Sequence, residues 1–347
     1  MPSWPWLQLH HTLWLALLWA LLACPGAWAN SPVLQLNDEK RAIDAWPAVK
    51  LLSDPSRQLS VRDVLPLADK FTPPSSVGAT LGVRPDAVWL RIPFEVASTS
   101  DAQWILDINH PDLNRIEVLL LHKGEVIQRS LLGTEVPPAE RPLRGRTPAL
   151  PLVLAPGEAY ELLLRVTTQG AMILPITLNT PSGMLGAAID EQMLQGVLTG
   201  LALCLIFYSM AQWYSLREPL FAQYALLTSG SLVYSLHFFG VGQQYLWGHS
   251  PWVTSHAVGL SSLLALTGCF LFMGQALEGH NPQSRFLRIM RWGAVLTTAL
   301  ALLLGLILSL ATLFPDHGID LSQITGARAM PKSPEEKAKE HKEGKHD

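Results

Sequence analysis

The chain alternates between apolar and polar regions on a large scale. One apolar block lies at the extreme N-terminus, a long stretch of mixed polarity follows, and four apolar blocks then lie between Met193 and Phe314. This order predicts a secretion signal, an exported domain and a membrane domain. We therefore expect four parts: a signal peptide over residues 1–29, an exported domain over 30–186, a membrane domain over 187–314 and a disordered polar tail over 315–347.

Three segments of the exported part alternate apolar and polar side chains with a period of two. They are Val88–Val96, Gln103–Ile108 and Tyr160–Val166. Because successive side chains of a strand point to opposite faces of a sheet, each segment is predicted to be a strand that buries one face. We expect the apolar sets, which include Phe94 and Leu162, to form a core.

Turn-forming residues separate the predicted strands. Lys123-Gly124 lies between the apolar segments Ile116–His122 and Val126–Leu131 and predicts a β-hairpin. Ala155-Pro-Gly157 predicts a second turn. With many short strands and almost no helical periodicity, residues 30–186 are expected to fold as an all-β sandwich. This region has no cysteine, so a hydrophobic core rather than disulfides must stabilise it.

The polar side of two predicted strands suggests a ligand site. Trp89, Arg91 and Glu95 lie on the polar side of one strand, and Glu161 and Arg165 on that of another. An exposed tryptophan beside arginines and carboxylates can stack on a sugar ring or bind an anion through paired hydrogen bonds. The structural alternative is that Trp89 covers the edge of the second sheet while Arg91 pairs with Glu95 or Glu161. The sequence leaves both interpretations open.

Two further polar segments interrupt the predicted strands. Asn109–Asn114 predicts a turn, and its His110 and Asp112 lack a third ligand at a suitable spacing. We therefore predict no metal site and no cofactor. The proline-rich stretch Pro137–Pro151 predicts a long surface loop that carries Arg141, Arg144 and Arg146.

The four apolar blocks each have about the length of a membrane-crossing helix. They span about residues 193–213, 220–239, 252–273 and 292–314. Basic residues follow the first and third blocks, at Arg217 and at Arg285–Arg291, whereas the connection Gly240–Pro251 has no Lys or Arg. The positive-inside rule places the two basic connections in the cytoplasm and the exported domain in the periplasm.

The chemistry inside the four blocks disfavours several classes of membrane protein. The blocks contain no Asp, Glu, Lys or Arg. Pumps, coupled transporters and intramembrane proteases place ionisable groups at membrane depth, so these classes do not fit. Gly196 and Gly200 have the spacing of a close-packing helix face. We expect that face to pack within the chain, with association between chains as the alternative.

Composition and the N-terminal block complete this picture. Hydrophobic residues make up 49% of the chain and charged residues 15%, and the mean hydropathy is +0.23, as expected for a partly membrane-embedded protein. The block Thr12–Ala23 is too short to cross comfortably, and Ala27-Trp28-Ala29 fits a signal peptidase site. Cleavage after Ala29 is expected. An uncleaved anchor or a lipidated Cys24 are the alternatives, and all three export the residues that follow.

Several segments, taken in order, resemble one family of bacterial receptors. They are Val88–Phe94, Ile105–Val118, Leu152–Glu158, Leu162–Val166, Leu201–Arg217, Tyr224–Leu226 and Gly242–Trp247. Over roughly residues 35–275 the chain resembles the seven-transmembrane receptors with diverse intracellular signalling modules. The resemblance implies a periplasmic jelly-roll-like domain similar to carbohydrate-binding modules, a seven-helix bundle and a cytoplasmic output domain, often a diguanylate cyclase or a histidine kinase. This chain departs from that pattern, since it has four apolar blocks and no output-enzyme motif. It resembles a truncated member.

The sequence therefore predicts a multi-pass sensor of the bacterial inner membrane rather than an enzyme. We expect its periplasmic domain to bind a small ligand, such as a carbohydrate, and its helices to relay the signal through the lipid bilayer. A cytoplasmic partner is expected at the loops near Arg217 and Arg285–Arg291, and no nucleic acid is expected. The alternative is a membrane-tethered periplasmic binding or anchoring module that does not signal.

Overall fold

The computed structural model describes residues 33–76, 78–137, 140–248, 250–277 and 285–313. The predicted signal peptide, the alternative at Cys24 and the predicted polar tail lie outside the described residues.

The N-terminal part of the described chain is a β-structure of twelve strands. The strands are β1 (Leu34–Leu36), β2 (Ala42–Asp44), β3 (Lys50–Asp54), β4 (Thr80–Val83), β5 (Ala87–Val96), β6 (Gln103–Ile108), β7 (Arg115–His122), β8 (Glu125–Leu132), β9 (Ala149–Val153), β10 (Ala159–Thr167), β11 (Ala171–Ile173) and β12 (Ile176–Asn179). One sheet has the order β1-β5-β10-β7-β8, with β3 also paired to β5. A second sheet has the order β2-β12-β6-β9, and β11 pairs with β4. The predicted all-β sandwich is confirmed.

The core of the sandwich lies between its two sheets. The alternating apolar residues of β5 and β10 contribute one side, and those of β6 and β12 the other. Phe94 and Leu162 are fully buried there, and Trp104 of β6 faces them from the second sheet at 1% exposure. Burying an apolar side chain of this size stabilises a fold by about 1.5–3 kcal/mol, so the period of two that predicted these strands also holds the sheets together.

Turn chemistry connects the strands where the sequence predicted it. β7 and β8 form an antiparallel hairpin in which His122 lies opposite Glu125. Lys123 and Gly124 between them have φ angles of 52° and 85°. Two successive positive φ angles match the right-handed twist of the flanking strands, which is why glycine is favoured in such a turn.

A short helical layer covers part of the outer face of the first sheet. It consists of α1 (Val61–Val64) and the 3-10 helix Leu65–Lys70, and a second 3-10 helix spans Trp46–Ala48. Val64 and Phe71 pack on outward-facing residues of β5, β7 and β10 in a second apolar cluster. The sequence did not predict this layer. It follows that the outer face of this sheet is only partly open to solvent.

The C-terminal part of the described chain is helical. Its helices are α2 (Pro181–Leu216), α3 (Pro219–Phe238), α4 (Val241–Tyr245), α5 (Pro251–Ala276) and α6 (Arg285–Leu313). Helix α2 begins where Thr180 accepts a hydrogen bond from the Gly183 N–H at 3.2 Å, well before the block predicted from residue 193. Because α6 begins at Arg285, the three arginines expected in the preceding connection lie instead on its first turns.

In the part of the chain that the structure describes, three helical segments are long and apolar enough to cross a membrane. They are Pro181–Leu216, His256–Ala276 and Arg285–Ile307. Helix α3 has 20 residues and occupies the remaining predicted block. A crossing by α3 stays a prediction.

Glycines set the close approach of α3 and α5. A Cβ added at Gly230 would lie 2.5 Å from the Ala265 backbone nitrogen, and one added at Gly268 would lie 2.5 Å from that of Leu227. A Cβ added at Gly196 or Gly200 would instead meet nothing within 4 Å. The expected packing of the Gly196–Gly200 face within the chain is therefore wrong for the part of the chain that the structure describes.

Candidate functional site

The predicted ligand residues lie on β5 and β10, which are neighbours in the first sheet. Their register places Arg165 opposite Trp89. Glu95 lies four residues beyond Arg91, about 13 Å along the strand at about 3.3 Å per residue, and accepts a hydrogen bond from Gln35 at 2.8 Å. The structure thus brings Trp89 together with Arg165, but leaves Glu95 apart from them.

Trp89 is fully buried, which corrects the expectation that it is exposed. The helical layer folds back over it, because the backbone of Leu51 pairs with that of Thr72 at 2.7 and 3.0 Å and brings the segment between them onto the sheet. Val64 and Phe71 then enclose the indole ring. A ring with 0% exposure cannot stack on a sugar, so Trp89 is a core residue of this face.

Arg91 and Glu161 form a paired ion bridge on the open part of the same face. The Arg91 Nε and Nη2 atoms donate to the two Glu161 carboxylate oxygens at 2.5 and 2.8 Å. The exposed fractions of the Arg91 and Glu161 side chains are 30% and 21%. The alternative in which Arg91 pairs with Glu161 is confirmed. Such a pair presents donors and acceptors side by side, which suits hydroxyl groups that both donate and accept.

Arg165 belongs to a second ionic cluster, centred on Glu117 of β7. The Arg165 Nη1 atom lies 3.2 Å from Glu117 Oε1, and its Nη2 donates to the Arg57 carbonyl oxygen at 2.6 Å. Its guanidinium carbon lies 5.9 Å from the centre of the Trp89 ring. Glu117 also lies near Arg115 and Arg129, at 3.2 and 3.8 Å. Arg115 also lies 3.6 Å from Glu135, so this part of the face carries carboxylate as well as guanidinium groups.

A different set of contacts joins the sandwich to the helices, and its centre is Arg146. The Arg146 Nη2 atom donates to Asn109 Oδ1 at 2.8 Å and also to the carboxylate of Glu191 on α2. Its Nη1 atom donates to the Phe239 carbonyl oxygen, just beyond α3, at 3.5 Å. One guanidinium group therefore touches the sandwich and two helices. The proline-rich segment, expected to be a surface loop, holds Arg146 with only 12% of its side chain exposed.

The turn at residues 109–112 contacts the end of α3 beside Arg146. His237 Nε2 lies 3.5 Å from Asp112 Oδ1, and the His110 ring meets the Phe238 ring edge-on, with centroids 6.5 Å apart. Burial lowers the pKa of His110. This turn was expected only to connect two strands, but it also forms part of the contact with the helices.

Gly240 allows that contact to be close. A Cβ at Gly240 would lie 2.7 Å from the Arg146 carbonyl oxygen and 2.9 Å from the Pro111 side chain, and the residue has a φ of 74°. Both the space and the backbone angle require glycine here. We define the junction as Asn109, Pro111, Asp112 and Arg146 of the sandwich together with Glu191, His237, Phe239 and Gly240 of the helical part.

A buried carboxyl group lies behind the junction. Asp107 of β6 is 8% exposed and accepts a hydrogen bond from the Thr147 hydroxyl at 2.6 Å. Burial raises the pKa of Asp107, and the nearby charge of Glu191 adds to this, while the Thr147 hydrogen bond and the charge of Arg146 oppose it. The charge of Arg146 therefore acts on Asp107 and Glu191 together.

Sequence reasoning missed the junction because its residues come from distant positions. Arg146 lies 37 residues from Asn109, 45 from Glu191 and 93 from Phe239. Gly240, between an apolar block and a polar connection, was the available signal. Among the described residues, no group of three or more His, Cys, Asp or Glu side chains could hold a metal ion.

Comparison with solved structures gives distant matches to part of the chain. A β-glucuronidase from Ruminococcus gnavus in complex with D-glucuronic acid is 9% identical, with a TM-score of 0.22; the match covers 43% of this chain and 31% of that one. A 4-O-methyl-α-glucuronidase with specificity for decorated arabinogalactans is 14% identical, with a TM-score of 0.23, 44% of this chain and 19% of that one being covered. At such scores the likeness supports no conclusion about function. The chain spans less than a third of either enzyme.

Comparison with protein families is informative. No curated protein matches the chain. The family model described as 7TMR-DISM extracellular 2 matches residues 47–180, and the model described as 7TM diverse intracellular signalling matches residues 191–326. These are receptor-type signalling domains rather than catalytic ones, and the second match begins at Glu191. The chain, with its exported-type sandwich followed by apolar helices, belongs to the seven-transmembrane receptors with diverse intracellular signalling modules.

Proposed function

We propose that the protein is an inner-membrane receptor whose periplasmic sandwich binds a small carbohydrate or anionic ligand and whose helices relay that event to a cytoplasmic partner. The observation that carries this proposal is the path of the helical hairpin formed by α2 and α3. Helix α2 starts at the sandwich, where a Cβ on Gly183 would run into the Arg41 carbonyl. Helix α3 returns to the sandwich, where Phe239 meets Arg146.

This path supports a relay because the start of α2 and the residue just after α3 both contact the sandwich. A change in the sandwich therefore acts on both helices of the hairpin. The far end of the hairpin is the turn at Arg217, which has a φ of 57° and separates α2 from α3. With about 1.5 Å of rise per residue, the 20 residues of α3 span about 30 Å, the thickness of a bilayer core. A sandwich in the periplasm then puts Arg217 in the cytoplasm, as the positive-inside rule does.

The ligand is proposed to bind at the open strip of the first sheet. The strip contains the Arg91–Glu161 pair and Lys50, which lies opposite Arg91 in β3. Its charges favour a ligand that carries hydroxyl groups and a carboxylate. Arg165 contributes from the neighbouring ionic cluster, and Glu95 lies at the end of the strip.

A tether without signalling is the second candidate. It would need the sandwich and its ligand site but no defined contact with the helices. The junction argues against it, since a passive tether needs no partly buried guanidinium that joins three elements.

A binding experiment on the full chain in lipid nanodiscs tests the ligand proposal. Calorimetric titration with galacturonate and with galactose compares an acidic sugar with its neutral counterpart. Arg91→Gln should weaken galacturonate binding at least about tenfold, as expected for the loss of a charge-assisted hydrogen bond. The matched control Arg62→Gln changes an exposed arginine on α1 and should bind as the wild type does. Equal binding by Arg91→Gln would show that the site lies elsewhere.

A further inference from the structure

We infer that Arg146 is the positioning residue that holds the helical part in one orientation on the sandwich, and that the relay passes through it. This inference rests on the proposed function for the relay. The orientation itself follows from the contacts of one side chain.

The first step is geometric. Helix α2 is fixed to the sandwich at its start, at Thr180 and Gly183, but Glu191 lies about 12 Å or more further along at about 1.5 Å per residue. A helix attached at one end can pivot. The bond from Arg146 to Glu191 is a second attachment, and two separated attachments fix a direction.

The second step concerns α3. Its end meets the 109–112 turn through the ring contact of Phe238 with His110 and the 3.5 Å contact of His237 with Asp112. Arg146 donates to the Phe239 carbonyl oxygen, and the Gly240 backbone lies against the Arg146 carbonyl. The same residue therefore holds the end of α3 by both its side chain and its main chain.

The third step is chemical. The three acceptors differ in kind: an amide oxygen of Asn109, a carboxylate of Glu191 and a main-chain carbonyl of Phe239. The planar guanidinium carries five donors in a fixed fork and can serve all three at once, which a lysine ammonium on a flexible stem does less well. The side chain is also only 12% exposed, so water competes little for these donors.

The inference is tested on the full chain in nanodiscs by measuring spin-label distances. Cysteines are placed at Val153 on the sandwich and at Leu246 after α4, which are 75% and 63% exposed, in a background with the native cysteines replaced by serine. The wild-type background should give one narrow distance. Arg146→Met should broaden it, Arg146→Lys should broaden it less, and the exposed Arg144→Met from the same segment should leave it unchanged. A label pair at Val153 and Val83, both on the sandwich, should stay narrow in every variant.

A double substitution sharpens the result. Glu191→Gln should also broaden the distance distribution. The double variant Arg146→Met with Glu191→Gln should give a distribution no broader than that of Arg146→Met alone, because the bond between Arg146 and Glu191 is already lost in the single variant. A width in Arg146→Met equal to that of the wild type overturns the inference.

The same distance measured with and without galacturonate tests the relay separately from ligand binding. If the wild type binds it and the Val153–Leu246 distance shifts, Arg146→Met should still bind but show no such shift. A full shift in Arg146→Met would overturn the relay through this residue. If the wild type binds no sugar, the ligand proposal fails, whereas the distance widths, measured without ligand, still decide the role of Arg146.

Discussion

Trp89→Ala gives the sharpest test of how the outer face of the first sheet is built. The sequence pattern placed Trp89 on a polar face, where a ligand-binding tryptophan could be removed at little cost to stability. The structure encloses it completely, beneath Val64 and Phe71 and beside Leu163. The two arrangements predict opposite effects on folding.

The magnitude follows from the contacts of the ring. Replacing a buried Trp by Ala typically costs about 3–5 kcal/mol, from lost burial and the cavity left behind. The Arg165 guanidinium over the ring adds about 1 kcal/mol, and no hydrogen bond is lost, because the Trp89 Nε1 atom has no partner among the described residues. We expect the free energy of unfolding of the sandwich to fall by about 4–6 kcal/mol.

Hydrogen exchange, measured by mass spectrometry on the full chain in nanodiscs, reports the loss of unfolding free energy strand by strand. Amides of β5 and β10 that exchange through opening of the sandwich should exchange at least about a hundredfold faster, since about 1.4 kcal/mol corresponds to a factor of ten. Trp89→Phe keeps most of the ring and should show a smaller acceleration. Trp213→Ala, at a 38% exposed tryptophan near the end of α2, should leave the exchange of the sandwich unchanged.

The reasoning is refuted if Trp89→Ala exchanges as the wild type does. Unchanged exchange together with loss of galacturonate binding would show that the indole faces the ligand and that the helical layer does not cover it.

Three further outcomes follow from the structure. Phe94→Asp puts a carboxylate at a fully buried core position and should unfold the sandwich, seen as loss of its protected amides, whereas Glu95→Gln, on the exposed side of the same strand, should not. The folded-state pKa of Asp107 is raised, so its contribution to stability is full below its unfolded pKa and is lost as the pH rises through the folded pKa; Asp107→Asn should remove that part of the pH dependence in unfolding measured across this window. Alkaline phosphatase fused after Trp247 should be active and phosphatase fused after Arg217 inactive, and the reverse pattern would contradict a periplasmic junction.

The sequence predicted the sandwich core well because one physical rule governs it. Strands that bury one face show a period of two, and Val88–Val96 and Tyr160–Val166 follow that rule on their inward side. The same rule failed on the outward side at Trp89. A period of two says which residues share a face but not what covers that face. Here the outer face is covered by the short helical layer, whose sequence has no strong hydrophobic periodicity.

The ionic residues of the outer face could be predicted only in part. The pairing of Arg91 with Glu161 was one of two structural alternatives, and choosing it requires the antiparallel register of β5 with β10. Glu117 was not identified, because it lies in an apolar run and its importance arises from arginines on three different strands. Such clusters depend on strand order, which the pattern along one strand does not contain.

The start of the membrane region shows how two different boundaries can describe one helix. The apolar block begins near Met193, yet α2 begins at Pro181, and Glu191 lies between them. Because Arg146 contacts both Glu191 and the Phe239 carbonyl, the end of α3 lies level with Glu191 on α2. The part of α2 from Glu191 to Leu216 and the whole of α3 then span about 39 and 30 Å at about 1.5 Å per residue, enough to cross a bilayer core of about 30 Å. The preceding turns of α2 stand outside this thickness against the sandwich. The composition of α2 changes about twelve residues after the helix begins. In the topology proposed above, that change marks the entry into lipid, and the junction then lies at the periplasmic surface of the membrane.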